Sequence, residues 1–179
     1  MTARLKSFAL STAFAACAVM GATTVAVAAP PQSGPVAPEL TGITQWLNSE
    51  PLNLQQLRGK VVLIDFWTYT CINCVNTLPY VKNWNQKYKD QGLTVIGVHT
   101  PEYPFERDTG NVKTAIKRLG ISYPVAQDNQ YATWNAYSNQ YWPAFYLIDK
   151  KGQIVYSHFG EGAYAQTEAK IQALLAQKN

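Results

Sequence analysis

The sequence predicts an α/β domain, and three observations carry that expectation. Val61-Val62-Leu63-Ile64-Asp65, extended by Phe66 and Trp67, is a mostly apolar, strand-forming run of the kind buried on both faces of a sheet. It is followed by a helical pattern, with Val75, Leu78, Val81, Trp84 and Tyr88 at steps of three or four. Strands and helices then alternate to the end of the chain, beginning with a second apolar run, Leu93-Thr94-Val95-Ile96-Gly97-Val98-His99. The chain has 179 residues, 47% hydrophobic and 15% charged, which suits one globular domain with a real core rather than disorder.

Residues 1–28 read as an export signal. Arg4 and Lys6 give a basic start, Phe8 to Val27 is apolar and alanine-rich, and Ala26-Val27-Ala28 fits an A-x-A cleavage site with the cut before Ala29. An uncleaved membrane anchor is the alternative, since the apolar stretch approaches bilayer length; the small-residue exit favours cleavage. Cleavage leaves 13 of the 15 basic residues beside 11 acidic ones. That balance is too mild to argue for a nucleic-acid partner. Residues 29–39 are Pro-rich and read as an extended linker, with the domain proper spanning 40–179.

Within the domain, Ile43-Thr44-Gln45-Trp46-Leu47 reads as a strand, Asn48 to Pro51 as a turn, and Leu52-Asn53-Leu54 as a second short strand, together a hairpin. Leu54 to Lys60 reads as a brief helix closed by Gly59. After the Leu93–His99 strand, Val112, Ala115, Ile116 and Leu119 mark one face of a helix over Asn111 to Leu119, stopped by Gly120. Ser122 to Ala126 is extended, and Asn129 to Tyr137 reads as a helix capped by Asp128. Pro143 to Asp149 and Gln153 to Phe159 are strands joined by an Asp149-Lys150-Lys151-Gly152 turn, and Tyr164 to Leu175 is a closing helix.

The chemistry lies between the first apolar strand and its helix, in Cys71-Ile72-Asn73-Cys74. A cysteine at a helix N-terminus sits beside unpaired N–H groups and the positive end of the helix dipole, which favours thiolate over thiol. Cys71 is therefore the expected nucleophile. Cys74, one turn further in, is the expected resolving thiol that breaks a mixed disulfide at Cys71. Loss of the leader removes Cys17, leaving this pair alone outside the cytoplasm. A disulfide across two intervening residues staples little of a fold, so a redox-active pair is the better reading.

Asp65-Phe66-Trp67, then Cys71-x-x-Cys74, then Pro79 resembles the active-site segment of thioredoxin, in spacing as well as in residues. The hairpin lead-in and Leu57-Arg58-Gly59-Lys60-Val61-Val62-Leu63 are similar to the start of TlpA-like and peroxiredoxin-like domains. The helix and extended piece between the two central strands resemble the TlpA-type central insertion. Taken together, the segments Thr68-Tyr69-Thr70-Cys71-Ile72-Asn73-Cys74, Gly97-Val98-His99-Thr100-Pro101-Glu102-Tyr103 and Tyr141-Trp142-Pro143-Ala144 look closest to the thioredoxin domain of DipZ-like proteins, a subgroup of the TlpA-like branch. The resemblance runs from about Leu40 to Gln177 and implies a thioredoxin-like fold with an N-terminal β-hairpin extension and that insertion.

The resemblance also implies roles. Pro143 becomes the cis-proline that lies against the thiol pair and presents backbone to a client chain, with Trp142 at the rim and Trp67 as a further substrate-binding residue. Where many TlpA-like reductases have a glutamate three places after the second cysteine, this chain has Thr77; Asp65, buried and of raised pKa, becomes the acid that relays a proton on or off Cys74. His99, His158 and Glu102 are weaker candidates, and Tyr131, Trp134, Tyr137 and Tyr141 are either core or a docking surface. No cofactor and no metal is expected.

The function expected is extracytoplasmic protein-disulfide exchange, acting as a reductant on client proteins with disulfides or cysteines, such as apocytochrome c or a methionine sulfoxide reductase. Some DipZ-like proteins fuse this domain to membrane spans that deliver electrons; here the donor is expected to be a separate membrane protein, and the domain a monomer. Two other classes compete. A peroxiredoxin-like peroxidase is suggested by Thr68-x-x-Cys71, but that family also has a proline where this chain has Ile64. A copper-binding protein would use Cys71, Cys74 and a histidine as soft ligands.

Overall fold

Every residue of Val61–Trp67 is buried, and this strand, β2, stands at the middle of the molecule. The computed structural model describes residues 34–178. The leader at 1–28 and residues 29–33 lie outside that range. Within it the order is β1 (Gln45–Leu47), β2, α1 (Ile72–Tyr88), β3 (Leu93–His99), α2 (Thr109–Leu119), β4 (Val125–Gln127), α3 (Ala132–Ala136), β5 (Ala144–Ile148), β6 (Ile154–Phe159) and α4 (Tyr164–Leu175). Short 3-10 turns occupy Lys89–Gln91 and Pro104–Arg107.

The strands form one six-stranded sheet in the order β1-β4-β3-β2-β5-β6. β2, β3 and β4 run parallel; β1, β5 and β6 each pair antiparallel with their neighbours. Because side chains alternate across a strand, β2 feeds two cores. Leu63 and Trp67 pack with Cys74, Leu78, Val81 and Trp84 of α1 and with Ile171 of α4. Val62, Ile64 and Phe66 pack on the opposite face with Trp134 of α3, Tyr137 and Tyr146. Phe66 alone makes edge-on contacts with Trp134, Tyr137 and Tyr146 at centroid distances of 5.7, 5.5 and 5.7 Å. Two-sided burial explains why this strand, Asp65 apart, is apolar on both faces rather than alternating.

The α/β thioredoxin-like architecture and the strand–helix–strand centre are as expected, and Gly120 ends α2 at φ +64°. The insertion between β3 and β5 contributes α2, β4 and α3, with β4 extending the sheet beyond β3. Asp128 does receive backbone N–H groups of α3, from Trp134 at 2.8 Å and Thr133 at 3.3 Å, but the helix begins later than expected, at Ala132.

The N-terminal hairpin is a correction. Leu52 to Leu54 is not a strand, and β1 pairs instead with β4, Gln45 opposite Gln127. The reason is a competing acceptor: the Glu39 carboxylate takes the N–H groups of Leu54 and Gln55 at 2.8 and 2.9 Å, and Asn53 takes that of Gln56, so these donors serve a turn rather than a ladder. Residues 54–60 are successive turns, not a helix. The end of the expected linker also differs. Val36 bridges Gln153, Ala37 N–H donates to Gly152 at 2.9 Å, Ile154 N–H donates to Pro35 at 2.9 Å, and Ala37 is buried. An edge position suits Pro35, which has no N–H to leave unpaired.

Residues 34–39 therefore contribute to stability. A chain beginning at Thr41 should be less stable than one beginning at Gly34 by about 1–3 kcal/mol, the scale of a few lost hydrogen bonds and one small apolar contact. Urea unfolding monitored by tryptophan fluorescence measures the difference; equal midpoints would contradict the docking of this segment.

Candidate active site

The sheet register brings the candidate residues to one edge. β2 ends at Trp67, paired with His99 at the end of β3, while Phe66 pairs with Ala144 at the start of β5. The loop to Cys71, the loop after His99 and the Trp142–Pro143 peptide thus leave the same side of the sheet. That peptide is cis, and the Pro143 carbonyl accepts the Gly160 N–H at 2.8 Å. Trp142 is half-buried; its indole N–H donates to the Thr100 carbonyl at 3.1 Å and its ring lies 4.1 Å from that of Trp134. This fastens the proline loop to the end of β3.

Cys71 and Cys74 form a disulfide with Cα atoms 5.2 Å apart. Cys71 is the N-cap of α1, and its sulfur accepts the Cys74 N–H at 3.2 Å. The first turn of α1 contains no acidic residue to offset the dipole. A charge on this sulfur is favoured by the hydrogen bond and by the helix end together. The two sulfurs differ in access: Cys71 is partly exposed, whereas Cys74 is 0% exposed and belongs to the core beneath α1. Ile72, 67% exposed, is an apolar side chain beside the reactive sulfur. Thr77, three places after Cys74, turns its hydroxyl back to the Cys74 carbonyl at 2.7 Å.

Asp65 lies on the same sheet face as Leu63 and Trp67, the face that carries Cys74. It is 0% exposed and neither carboxyl oxygen has a hydrogen-bond partner. Burial raises its pKa to about 7. The Tyr123 phenol is buried near enough that burial and the Asp65 charge both push its pKa well up. Gly97 faces Asp65 across the β2–β3 ladder, and a Cβ there would sit 2.9 Å from Trp67 Nε1 and 3.1 Å from Tyr123 Cε2. Gly97 and Tyr123 were not singled out from the sequence; a glycine inside an apolar strand was the available signal for close packing.

Trp67 is a correction. It is 0% exposed, packed edge-on to His99 at 5.2 Å, and cannot touch a docked chain. It remains on the inward face because β2 continues through it. His99 is equally buried; Thr68 Oγ1 is 3.3 Å from its Nε2, Tyr69 stacks on it at 5.6 Å, and burial lowers its pKa to about 4, so it is neutral. His158 lies on β6, its Nε2 3.2 Å from the Glu161 carbonyl. Among the described residues, no three of His, Cys, Asp and Glu are grouped to hold a metal ion. Trp134 and Tyr137 are core, whereas Tyr141 is exposed.

Glu106 was missed. Glu102, its neighbour, is exposed, but Glu106 is 0% exposed and accepts four hydrogen bonds. The signal was present in Pro104-x-Glu106, a proline opening a helical turn with an acid positioned to cap it.

Residues 32–175 match the Redoxin family model. The chain is 58% identical over 142 residues to Protein DipZ of Mycobacterium tuberculosis, a match covering 78% of this chain and 20% of DipZ. It is 35% identical over 140 residues to the thiol-disulfide oxidoreductase YkuV of Bacillus subtilis, covering 78% of this chain and 94% of YkuV. The chain spans about a fifth of the length of DipZ. Among solved structures, a thioredoxin-like protein in its oxidised form superposes with a TM-score of 0.73 at 34% identity, covering 82% of this chain and 98% of that one.

Asp65 makes a pH prediction. An open-chain aspartate has a pKa of 3.8, against about 7 in the fold. The folded chain therefore binds more protons than the unfolded chain between those values, so stability is fully present below the lower value and is lost as pH rises through the upper one. Asp65→Asn should raise stability at pH 8 by ~2–4 kcal/mol and flatten its fall between pH 4 and 8. Urea unfolding across that range measures this; a variant with the wild-type slope would contradict it.

Proposed function

Since the chain belongs to the redoxin family and is a thiol–disulfide oxidoreductase of thioredoxin fold, we propose that it works outside the cytoplasm as a reductant of protein disulfides. The observation that carries this is the asymmetry of the pair, one sulfur at the open end of a helix and the other in the core. Clients of the expected kind are proteins with cysteines to be kept reduced, such as apocytochrome c or a methionine sulfoxide reductase. Among the described residues no helix is long and apolar enough to cross a membrane. Electrons would come from a separate membrane donor, and the domain would act as a monomer.

The exchange runs in two steps. The Cys71 thiolate attacks one sulfur of a client disulfide; the S–S bond of the client breaks, its second sulfur leaves as a thiolate and takes a proton from water, and Cys71 is joined to the client. Cys74 then gives its proton to the Asp65 carboxylate and attacks Cys71 Sγ. The mixed disulfide breaks, the client sulfur leaves as a thiolate and takes a proton from water, so that the client departs as a dithiol and Cys71–Cys74 is left oxidised. Two electrons have passed to the client. An acid with a pKa of about 7 suits the proton transfer, because it is available in either state near neutrality. Burial of Cys74 keeps the resolving thiol from competing for the client in the first step.

The client would lie along the rim formed by Ile72, Tyr141 and the Trp142–Pro143 loop. Exposed Ile72, next to Cys71 in the chain, and exposed Tyr141, next to Trp142, would offer it apolar contact.

Two experiments test this. Cys74→Ala should accumulate mixed disulfides through Cys71 when mixed with reduced and oxidised extracytoplasmic protein, resolved on non-reducing gels and collapsed by dithiothreitol. A folded variant that captures no protein would contradict the assignment of Cys71 and Cys74. Titration of the wild-type pair against dithiothreitol should give a potential on the reducing side, near −270 mV rather than about −120 mV; a value at the oxidising end would overturn the direction.

A further inference from the structure

Glu106 is a fully buried carboxylate with no role in the exchange steps above, and its contacts join two loops. Its Oε1 accepts the Thr70 hydroxyl at 2.6 Å and the Thr70 N–H at 3.3 Å. Its Oε2 accepts the N–H groups of Glu102 at 2.7 Å and Tyr103 at 3.0 Å. Thr70 is the residue before Cys71, so one carboxylate ties the approach to the nucleophile to the loop after β3. A further bond across the same junction runs from the Tyr69 hydroxyl to the Phe105 carbonyl at 3.3 Å.

The group is charged. Burial opposes ionisation, but the hydrogen bonds from Thr70 and from the Tyr103 and Glu102 amides, with the Thr68 hydroxyl near by, outweigh it, and the pKa is lowered. No Lys, Arg or His forms a salt bridge with it among the described residues, where Lys87–Glu168 is the ion pair found. The neutral, buried His99 is its nearest titratable company on β3, and Asp108 and Arg107 follow it in the chain. Hydrogen bonds stabilise the charge without cancelling its field.

We propose that Glu106 is a positioning residue for thiol–disulfide exchange: its buried negative charge, clamped on Thr70, fixes the loop that presents Cys71 and disfavours the Cys71 thiolate. The reaction consequence has a definite sign. The reduced form of the pair contains that thiolate and the disulfide form does not. A fixed negative charge held on Thr70, the residue before it, destabilises the reduced form, so the pair gives up its two electrons more readily. The helix N-terminus acts in the opposite sense. The balance between the helix end and Glu106 sets how strong a reductant the pair is.

The inference rests on exchange at Cys71 and Cys74, and two variants separate it from that reading. Glu106→Gln keeps the size of the side chain and removes the charge. Thr70→Val keeps the charge and removes one strut of the clamp. Each is equilibrated with dithiothreitol, and its exchange with oxidised glutathione is followed in a single turnover, folding being checked by circular dichroism. Glu106→Gln should shift the equilibrium toward the dithiol by roughly tenfold, or ~30 mV for a two-electron couple. Thr70→Val should show no shift in that direction but exchange at least threefold more slowly. A folded Glu106→Gln variant within twofold of wild type overturns the proposal, as do equal shifts of the same sign in both variants, which would indicate loosening alone. If Glu106→Gln does not fold, Thr70→Val decides: a wild-type rate, or a pair made easier to reduce, overturns it. Failure of the wild type to exchange with glutathione would instead strike at the exchange reading itself.

Discussion

A helix begins one short loop after β2 ends, and the first residues of a helix have N–H groups with no partner inside it. In this protein the N-cap that meets them is a cysteine. Cys71 Sγ accepts the Cys74 N–H, a bond better made by a thiolate than by a thiol, at the positive end of a seventeen-residue helix. The strand, the turn and the helix are ordinary structural solutions, but together they place a sulfur where its charged form is favoured. The apolar burial of β2 on both faces holds that turn in position.

The surrounding ionisable groups differ in how the fold treats their burial. Asp65 has no hydrogen-bond partner for either oxygen, so it resists ionisation until about pH 7. Glu106 has four, and stays charged. His99 meets a threonine hydroxyl and two aromatic rings, and stays neutral. Burial alone sets the direction at Asp65 and dominates at His99, keeping each from its charged form, whereas at Glu106 the hydrogen bonds overcome burial. An unsatisfied acid is suited to moving a proton, and a satisfied one to holding a charge.

The centre of the fold was legible because β2, α1 and β3 are long and strongly patterned; the cysteine pair stands out by its spacing, and Asp65 as an acid inside an apolar strand, which is where it lies buried. Pro143 was legible for the opposite reason, as a residue ill suited to open an apolar strand. What escaped depends on pairings between distant segments. Leu52 to Leu54 has strand-forming residues, but Glu39 takes the N–H of Leu54 and of Gln55 after it, and no local pattern announces that contact. Trp67 reads as the end of a strand near a site; only the three-dimensional packing against His99 puts it beyond reach of a client. Glu106 resembles any loop acid until Thr70 is brought to it across a separation of 36 residues.

The central claim is that the two sulfurs are unequal, with Cys71 acidified by the helix end and Cys74 held back in the core. The most direct measurement is the rate of iodoacetamide alkylation of the reduced protein against pH, with the modified residue located by mass spectrometry. The account predicts that Cys71 reacts first, with an apparent pKa below the ~8.5 of a free thiol, and that Cys74 stays unmodified across the same range. Alkylation of Cys74 first, or a Cys71 that titrates like a free thiol, would contradict it.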